Sequence, residues 1–405
     1  MKTVSVIGLG YIGLPTACLL SNSGFKVNGI DIDETKLKEL KSGEVPFHEP
    51  HLKKFLTRAV KKKNIEFFSE PKKSDHYLIC VPTPFKKHKN EITPDISFVI
   101  SAIHSIKNYL SHGNQIIIES TCPVGTTKKI KKIIEKHNPE ISKNIYISYC
   151  PERVLPGKVF KELVENDRTV GGINDASSNA AYKFYTSFVK GKVHKTSAET
   201  AEMVKLAENS FRDINIAFAN ELSYLADKYD INVYELIKLA NMHPRVDILN
   251  PGAGVGGHCI AVDPWFLAYQ NKQSILIRNA RLQNDKKPKW VVKKILRVIQ
   301  KYINDKNKKP SVSCFGISFK PDIDDFRGSP ALQIVNELTN KGIKINVVDP
   351  FAEAVVKNLK FSSFENAVKN SDILVVLVRH SAFEIKDLKN VAGKKIVLDF
   401  VGLFD

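Results

Sequence analysis

The segment that most constrains the fold lies near the N-terminus, where a short apolar run at residues 4–7 ends in the sequence GLGYIG, residues 8–13. A helical stretch and a second apolar run at residues 26–30 follow, and Asp31 comes directly after that run. A strand, a glycine-rich turn, a helix and a second strand in about thirty residues are typical of a parallel βαβ unit. The sequence therefore predicts an α/β fold for the first half.

The spacing of the three glycines favours a dinucleotide-binding turn. Gly8 permits the tight turn, Gly10 lets the backbone approach a pyrophosphate, and Gly13 lets the helix pack on the strand. The amides at the helix N-terminus would bind the phosphates. Asp31 would accept hydrogen bonds from the adenosine ribose and repel a 2′-phosphate, so we predict NAD as the cofactor. The same turn adds Tyr11 and Ile12 to the predicted cofactor site.

A change of periodicity near residue 196 marks the end of this domain. Thr196 followed by Glu199 is a capping-box pattern, and apolar residues then recur every three or four positions for about 30 residues. A helix of that length usually spans between domains or forms a subunit contact. Further helices are predicted at 233–242, 264–270 and 288–302, and strand-like runs return at 312–317, 344–348, 373–378 and 395–399.

This order of elements predicts two Rossmann-like, doubly wound domains joined by a helical connector with one long central helix. We assign residues 1–195 to an NAD-binding domain, 196–295 to a central helical dimerisation domain and 296–405 to a second Rossmann-like domain. That last domain repeats the first architecture without its glycine fingerprint.

Composition argues against several classes of partner and of site. The net charge of +18 lies in short lysine clusters without interleaved aromatic residues, which favours solvated helix faces, so we expect no nucleic-acid partner. The six cysteines form no CxxC pair and no Cys/His cluster, so we expect neither a disulfide framework nor a metal site. The sequence contains no apolar run of membrane-spanning length, so we expect no membrane association and a cytoplasmic location.

A second glycine-rich segment, residues 251–259, has four glycines within six residues and ends at Cys259. Such a loop lets the backbone approach a ligand closely. Asp263 followed by a proline is a plausible helix cap, so Cys259 would lie just before a helix N-terminus, which favours a thiolate. We predict a nucleophilic role for Cys259. Three cysteines in or beside apolar runs, Cys18, Cys80 and Cys314, are predicted to be packing residues.

The long predicted helix carries three polar residues on one side. Lys205 and Asn209 are four residues apart and Arg212 follows three later, so the three lie within an arc of about 60°. The helix alone does not distinguish a functional group of residues from a solvated polar face.

Six motifs in one order resemble the UDP-glucose/GDP-mannose dehydrogenase family over essentially the whole chain. They are GLGYIG (8–13), STCPVGT (120–126), PER (151–153), KLAENSFRD (205–213), GVGGHCIAVDP (254–264) and GISFKPDIDDFR (316–327). The resemblance implies oxidation of the C6 alcohol of a nucleotide sugar to a carboxylate with two NAD⁺. It implies that Cys259 adds to the C6 aldehyde and passes through a thiohemiacetal and a thioester.

The same resemblance implies roles for further residues. Lys205 and Asn209 would stabilise negative charge on the C6 oxygen, while Thr121, Glu152 and Asp263 would position water or move protons. Arg245 would reach the sugar nucleotide of a neighbouring subunit, which implies a homodimer with a shared active site. The implied substrate-binding set also contains Glu152, Arg153, Arg212, Gly256 and Lys320, and the domain at 296–405 would bind the UDP-sugar. Arg327 would bind a cofactor phosphate, and the implied cofactor site also contains Thr83 and Thr121.

The loops at residues 241–246 and 252–266 are most similar to family members that act on UDP-N-acetyl-D-mannosamine, which implies this sugar nucleotide as substrate. UDP-N-acetylglucosamine is the second candidate substrate. Arg153 and His258 depart from the pattern of the UDP-glucose enzymes.

Different classes of function stay open on the residues alone. An NAD-retaining epimerase would use a Tyr-x-x-x-Lys pair, and three such pairs occur outside the first domain. The residues are also compatible with a non-catalytic NAD-binding regulator and with a two-electron dehydrogenase that stops at the aldehyde.

Overall fold

The chain divides into two compact units, Met1–Glu208 and Asn209–Asp405. The computed structural model describes residues 2–47, 49–88, 91–155, 157–353, 355–384, 392–393 and 395–404. Within these ranges, no helix combines the length and the apolarity needed to cross a bilayer.

The first unit is built around a mainly parallel sheet. Its strands are β1 (Thr3–Ile7), β2 (Lys26–Ile30), β3 (Ile65–Phe68), β4 (His76–Ile79), β5 (Phe85–His88), β6 (Glu91–Pro94), β7 (Gln115–Ile118), β8 (Tyr146–Tyr149), β9 (Arg168–Gly172) and β10 (Val193–Ser197). Eight of them form one sheet in the order β10-β9-β8-β7-β4-β1-β2-β3, in which only the β8–β9 pair is antiparallel. The remaining two strands form a separate antiparallel hairpin.

Helices cover this sheet. They are α1 (Gly13–Asn22), α2 (Glu34–Lys41), α3 (Leu52–Lys61), α4 (Ser97–Ile106), α5 (Thr126–His137), α6 (Pro139–Lys143), α7 (Val159–Glu165) and α8 (Asp175–Tyr185). Strand alternation sends Val4 and Val6 of β1 into one hydrophobic cluster and Ile7 into another. Because both faces are buried, these strands read as continuous apolar runs in the sequence.

The long helix α9 (Ala198–Tyr229) is present as predicted, with 32 residues. Its cap differs from the expected one: Ser197 Oγ accepts from the amide of Thr200 at 3.2 Å, so the cap is one residue later than Thr196. Glu199 therefore does not complete the predicted capping box, and its carboxylate pairs with Lys128 instead.

The second unit contains a smaller parallel sheet. Its elements in chain order are α10 (Val233–Ala240), α11 (Asp263–Gln270), α12 (Ile275–Lys306), β11 (Val312–Phe315), α13 (Pro330–Asn340), β12 (Ile345–Val348), β13 (Lys360–Phe361), α14 (Phe364–Asn370), β14 (Ile373–Val376) and β15 (Ile396–Asp399). The strand order β13-β12-β11-β14-β15 places its first strand in the centre. The predicted α/β class, with two Rossmann-like sheets and a long helix, is confirmed.

Helix α12 is a second helix of 32 residues, longer than the predicted stretch at 288–302. Proline is common in the first turn of a helix, and so Pro288 indicated a beginning at that point. In the structure the helix starts at Ile275 and continues through Pro288, which is buried close to Gly254. Packing outweighs the missing backbone hydrogen bond there.

Candidate active site

The predicted site residues of the first unit lie at one edge of its sheet. Gly8 follows β1, Asp31 follows β2 and Thr83 comes after β4. Thr121 and Glu152 come after β7 and β8. Since these five strands pair in parallel, the residues lie at the same, carboxyl-terminal edge. Ligands of open α/β sheets bind at this edge, where the strand order reverses beside β1.

The three glycines of the first turn differ in their surroundings. Gly8 has φ +92°, and a Cβ there would lie 2.7 Å from the carbonyl oxygen of Cys80. A Cβ at Gly13 would lie 1.8 Å from the carbonyl oxygen of Gly8, whereas one at Gly10 would meet no atom of the described residues within 4 Å. The backbone at Gly10 is therefore accessible from outside, as the approach of a pyrophosphate requires.

Asp31 is buried at 8% exposure and already holds the turn in place. Its Oδ2 accepts from the Leu9 amide at 2.9 Å and from Lys36 Nζ at 2.8 Å, and its Oδ1 accepts from the Asp33 amide. Burial acts to raise the pKa of Asp31, but these hydrogen bonds outweigh it and the pKa is lowered. The side chain is therefore a carboxylate that fits a ribose diol.

A buried polar cluster, which the sequence analysis missed, holds Glu152. Arg168, at the start of β9, donates from Nη1 to Glu152 Oε2 at 3.3 Å, and the amide of Arg153 donates to Oε1 at 2.6 Å. Glu119 lies in the same cluster and accepts from the hydroxyl of Tyr185 at 2.6 Å. Burial raises the pKa of Glu119. An arginine next to an otherwise apolar strand run was the one available signal for this cluster.

Two more predicted residues of the first unit lie near the N-terminal half of α9. Arg153 pairs with Glu208 at 2.7 Å and donates to the carbonyl of Asp167 at 2.6 Å. Lys205 is half-buried and lies one helical turn before Asn209 on α9. Glu202, which precedes Lys205, accepts from the amides of Gly125 and Thr127.

Cys259 is exposed and lies in a turn that leads directly into α11. Its carbonyl oxygen accepts from the amides of Val262 and Asp263 at 2.9 and 2.8 Å. Asp263 is the first helical residue rather than the predicted cap, since Val262 occupies the cap position. Freed from capping, the Asp263 carboxylate accepts from Asn209 Nδ2. The structure thus brings together two of the predicted catalytic residues, Asn209 and Asp263.

The glycines before Cys259 have a different explanation from the one the sequence suggested. A Cβ at Gly256 would lie 2.6 Å from the carbonyl oxygen of Gly328, and one at Gly257 would lie 2.7 Å from the ring of Phe319. A Cβ at Gly254 would lie 2.7 Å from Pro330 Cβ. These glycines therefore let the Cys259 segment pack against residues 319–330 of the same chain, which include Lys320 and Arg327.

Polar side chains from α9 and α12 brace the Cys259 segment. Arg281 Nη1 bonds to Asp213 and to the carbonyl of Ile260, the latter at 3.3 Å. Asn220 Oδ1 accepts from the amide of Gly252 at 3.1 Å. Burial raises the pKa of Asp213 to about 6, although Arg281 opposes that effect. Sequence analysis missed Arg281 because the helix that carries it was predicted to begin only at Pro288.

The remaining predicted residues of the second unit vary in their surroundings. Arg212 and Arg245 are exposed, and Lys320 is half-buried. Arg327 donates from Nε and Nη2 to the Asp325 carboxylate at 2.9 and 2.7 Å. Partial burial and then the Arg327 guanidinium lower the pKa of His258, against the effect of Asp325.

The cysteines predicted to be packing residues are less exposed than Cys259. Burial raises the pKa values of Cys18 and Cys314 to about 12, and also raises that of Cys80 well above its usual value. The packing prediction for these three thiols agrees with their surroundings, since a buried thiol that stays protonated is a poor nucleophile.

Comparison with known proteins gives three matches along the chain, each to a UDP-glucose/GDP-mannose dehydrogenase family model. Residues 2–189 match its NAD binding domain, 199–286 its central domain and 313–405 its UDP binding domain.

Individual proteins are similar over nearly the full length. The UDP-N-acetyl-D-mannosamine dehydrogenase of Methanocaldococcus jannaschii is 46% identical, covering 98% of this chain and 92% of its own. An NDP-N-acetyl-D-galactosaminuronic acid dehydrogenase of Ralstonia nicotianae is 42% identical, covering 100% and 96%. The solved structure of the UDP-D-ManNAc dehydrogenase from Pyrococcus horikoshii has a TM-score of 0.88 at 36% identity and covers 100% of this chain and 96% of its own.

Proposed function

The chain belongs to the UDP-glucose/GDP-mannose dehydrogenase family, and from that premise we propose that it oxidises C6 of UDP-N-acetyl-D-mannosamine to the uronate. It is an NAD-dependent nucleotide-sugar dehydrogenase. This membership argues against an epimerase and against a non-catalytic NAD-binding regulator. The choice of sugar is supported by the full-length relatives named for UDP-N-acetyl-D-mannosamine. These relatives do not favour UDP-N-acetylglucosamine, the second candidate from the sequence. A relative at 42% identity named for an N-acetylgalactosaminuronic acid makes the galacto sugar a candidate instead.

Residues at the edge of the first sheet fit the cofactor. Gly10 would lie against the pyrophosphate, the α1 N-terminus would bind it, and Asp31 would accept from the ribose hydroxyls. Bound NAD supplies the hydride acceptor for each of the two oxidations. Arg327, with Thr83 and Thr121, is assigned to the same cofactor by the family resemblance.

The observation that carries the proposed chemistry is the exposed thiol of Cys259 at the head of α11, with Asp263 held by Asn209. The first oxidation converts the C6 alcohol to an aldehyde with release of one proton. Sγ of Cys259 then bonds to C6, and the carbonyl oxygen takes a proton to give a thiohemiacetal. The second oxidation removes a hydride from C6 and a proton from that oxygen, leaving a thioester. Water cleaves the C6–S bond, which yields the carboxylate and returns the thiol.

Five further residues act on charge and protons. Lys205 and Asn209 stabilise the negative charge that develops on the C6 oxygen, a contribution of about 10²- to 10³-fold per donor in comparable sites. Glu152, Asp263 and Thr121 position the hydrolytic water and exchange protons, and Arg168 holds the Glu152 carboxyl in place. Contact with the nucleotide sugar is assigned to Arg153, Arg212, Gly256 and Lys320.

The proposal is tested by product stoichiometry and by a substitution of the nucleophile. Wild-type protein supplied with UDP-N-acetyl-D-mannosamine should form two NADH per uronate, and a ratio of one with free aldehyde would indicate a two-electron enzyme. Cys259→Ser should lower kcat at least about 10³-fold, because a serine hydroxyl is a far weaker nucleophile at neutral pH. Cys314→Ala, a matched change at a buried thiol, should leave kcat within about twofold. Full turnover by Cys259→Ser contradicts the covalent route.

A second copy of this chain fits the exposed face of α9. Phe211, Phe218 and Leu225 recur every seven residues and are 67%, 52% and 51% exposed. Residues at this spacing lie on one side of a helix and make a continuous apolar stripe. Exposed Arg245 belongs to the same unit and would reach the active site of the partner subunit.

Use of the NAD and nucleotide-sugar pools, together with chemistry on a reduced thiol, supports a cytoplasmic location.

Subunit mixing tests the dimer. Arg245→Ala and Cys259→Ala should each be inactive alone and recover partial activity when coexpressed, because one of the two hybrid sites is then intact. Phe218→Glu should convert the dimer to monomer in light scattering. A hybrid without activity contradicts the shared site, and a monomeric wild type contradicts the dimer.

A further inference from the structure

His380 is a buried side chain in the second unit to which the proposed reaction gives no role. It follows β14 and its side chain has no exposed surface. The ring packs between Phe351 and Phe383, with ring centroids 5.6 and 5.3 Å away. Both ring nitrogens face polar groups, so the residue does more than fill space.

The partners of the two nitrogens define the tautomer of His380. The amide of Asp322 donates to Nδ1 at 3.0 Å, so Nδ1 carries no hydrogen. The hydrogen therefore lies on Nε2, which is 3.2 Å from Asp349 Oδ2 and 3.3 Å from Ser318 Oγ. The Asp349 side chain is itself fully buried and also accepts from the amides of Ile317 and Phe351. The His380 side chain thus connects the end of β12 with the loop after β11.

That loop, residues 318–322, carries Lys320, and its two ends are hydrogen-bonded to His380. Asp322 has φ +59°, a left-handed conformation that a non-glycine residue adopts only when its surroundings hold it there. Ser381, next to His380, donates from its amide and its hydroxyl to Asp322 Oδ1 at 2.9 and 3.0 Å. Ser318 Oγ donates to the Lys320 carbonyl at 2.7 Å. Hydrogen bonds from residues 380 and 381 therefore fix both ends of the loop.

We propose that His380 is the positioning residue for the Lys320 loop and that it thereby sets the affinity for the nucleotide sugar. The inference rests on the proposed function, in which Lys320 contacts that substrate. His380 touches neither substrate nor cofactor in this scheme; it acts by holding the loop backbone. A loose loop would cost ordering entropy each time the nucleotide binds.

Three variants separate hydrogen bonding from packing. His380→Phe keeps an aromatic ring between Phe351 and Phe383 and removes both nitrogens. His380→Asn keeps a polar atom near Nδ1, which can still accept from the Asp322 amide, while His380→Gln keeps a donor near Nε2. For His380→Phe we expect KM for the UDP-sugar to rise about 10-fold or more, with kcat and KM for NAD within about threefold. His380→Asn should recover part of the lost affinity.

Hydrogen–deuterium exchange tests the positioning role without substrate. The Asp322 amide should be protected in the wild type and in His380→Asn, and should exchange at least about tenfold faster in His380→Phe and His380→Gln. Global stability, followed by thermal unfolding, identifies any variant that has simply lost its fold. Unchanged exchange at Asp322 in a folded His380→Phe variant overturns the inference, as does an equal loss of kcat with no change in KM. If the wild type turns over no UDP-sugar, the proposed function fails while the exchange result still decides the role of His380.

Discussion

The turn that follows the first strand has the same hydrogen bonds in the eight-stranded sheet of the first unit and the five-stranded sheet of the second. Gly8 after β1 and Gly316 after β11 have φ +92° and +80°. Their amides donate to the last residue of the second strand, at 2.8 Å in both cases. In each sheet the next amide donates to the aspartate that directly follows the second strand. Leu9 donates to Asp31 at 2.9 Å, and Ile317 donates to Asp349 at 2.8 Å. The two domains therefore share a turn that GxGxxG alone would not identify.

The two aspartates differ in what covers them. Asp31 bonds to Lys36, whose side chain is 24% exposed, and the adjoining backbone at Gly10 is open. Asp349 bonds to His380, and neither side chain has exposed surface. In the first domain the strand end is left available for a ligand, whereas in the second it anchors a loop. The same backbone arrangement thus serves binding in one domain and support in the other.

The largest effect is expected from alanine at the two equivalent glycines. Gly8→Ala places a Cβ 2.7 Å from the Cys80 carbonyl, and Gly316→Ala places one 2.4 Å from Val378 Cβ, each at a positive φ. Both variants should lower the free energy of unfolding by about 3–4 kcal/mol, measured by denaturant titration. Gly8→Ala should in addition weaken NAD binding, while Gly316→Ala should weaken UDP-sugar binding. An identical ligand profile for the two variants would remove the functional distinction between the turns.

An intermediate effect is expected from asparagine at the two aspartates. Asp349→Asn loses a carboxylate that accepts from His380 and two amides, and should cost about 1–3 kcal/mol of stability with a raised KM for the UDP-sugar. Asp31→Asn should mainly raise KM for NAD and relax discrimination against NADP. Steady-state kinetics with each ligand varied in turn checks both. A raised KM for NAD in Asp349→Asn would contradict the different roles given to the two aspartates.

The pH dependence of the free energy of unfolding gives a second test of Asp31 and Asp349. The pKa of each aspartate is lowered, because hydrogen bonds to Asp31 and Asp349 outweigh the opposing effect of burial. Each aspartate therefore stabilises the fold at any pH above its unfolded-state pKa, which is near 3.8. This stabilisation is lost as the pH falls through the lower pKa of the folded state. The difference in unfolding free energy between wild type and either variant should be constant from about pH 5 to 7 and shrink toward about pH 2. A difference that grows on acidification would contradict the lowered pKa.

The smallest effect is expected from Lys36→Met. Removing the ammonium leaves Asp31 with its two amide donors, so KM for NAD should change by less than about threefold. Discrimination against NADP should increase, because Lys36 no longer offsets the negative charge that repels a 2′-phosphate. The ratio of kcat/KM values for NAD and NADP measures this. A decrease in that ratio would show that Asp31 does not act by charge.

The sequence predicts those elements and site residues whose contacts lie close by in the chain, and it misses those whose contacts are distant in sequence. Strand β2 at Lys26–Ile30 matches its predicted bounds, because a helix end and Asp31 flank a buried apolar run. The beginning of α12 was missed, since only tertiary packing decides whether a helix continues through Pro288. Arg168, Arg281 and His380 were missed for the same reason: each acts on residues far away in sequence.

The burial of three further thiols has a practical consequence. Cys18, Cys150 and Cys314 have no exposed surface and raised pKa values, whereas Cys259 is exposed. An electrophilic warhead, such as a chloroacetamide, would therefore modify Cys259 before these three thiols. Covalent inhibitors or reporter dyes could be attached there without first mutating those buried cysteines.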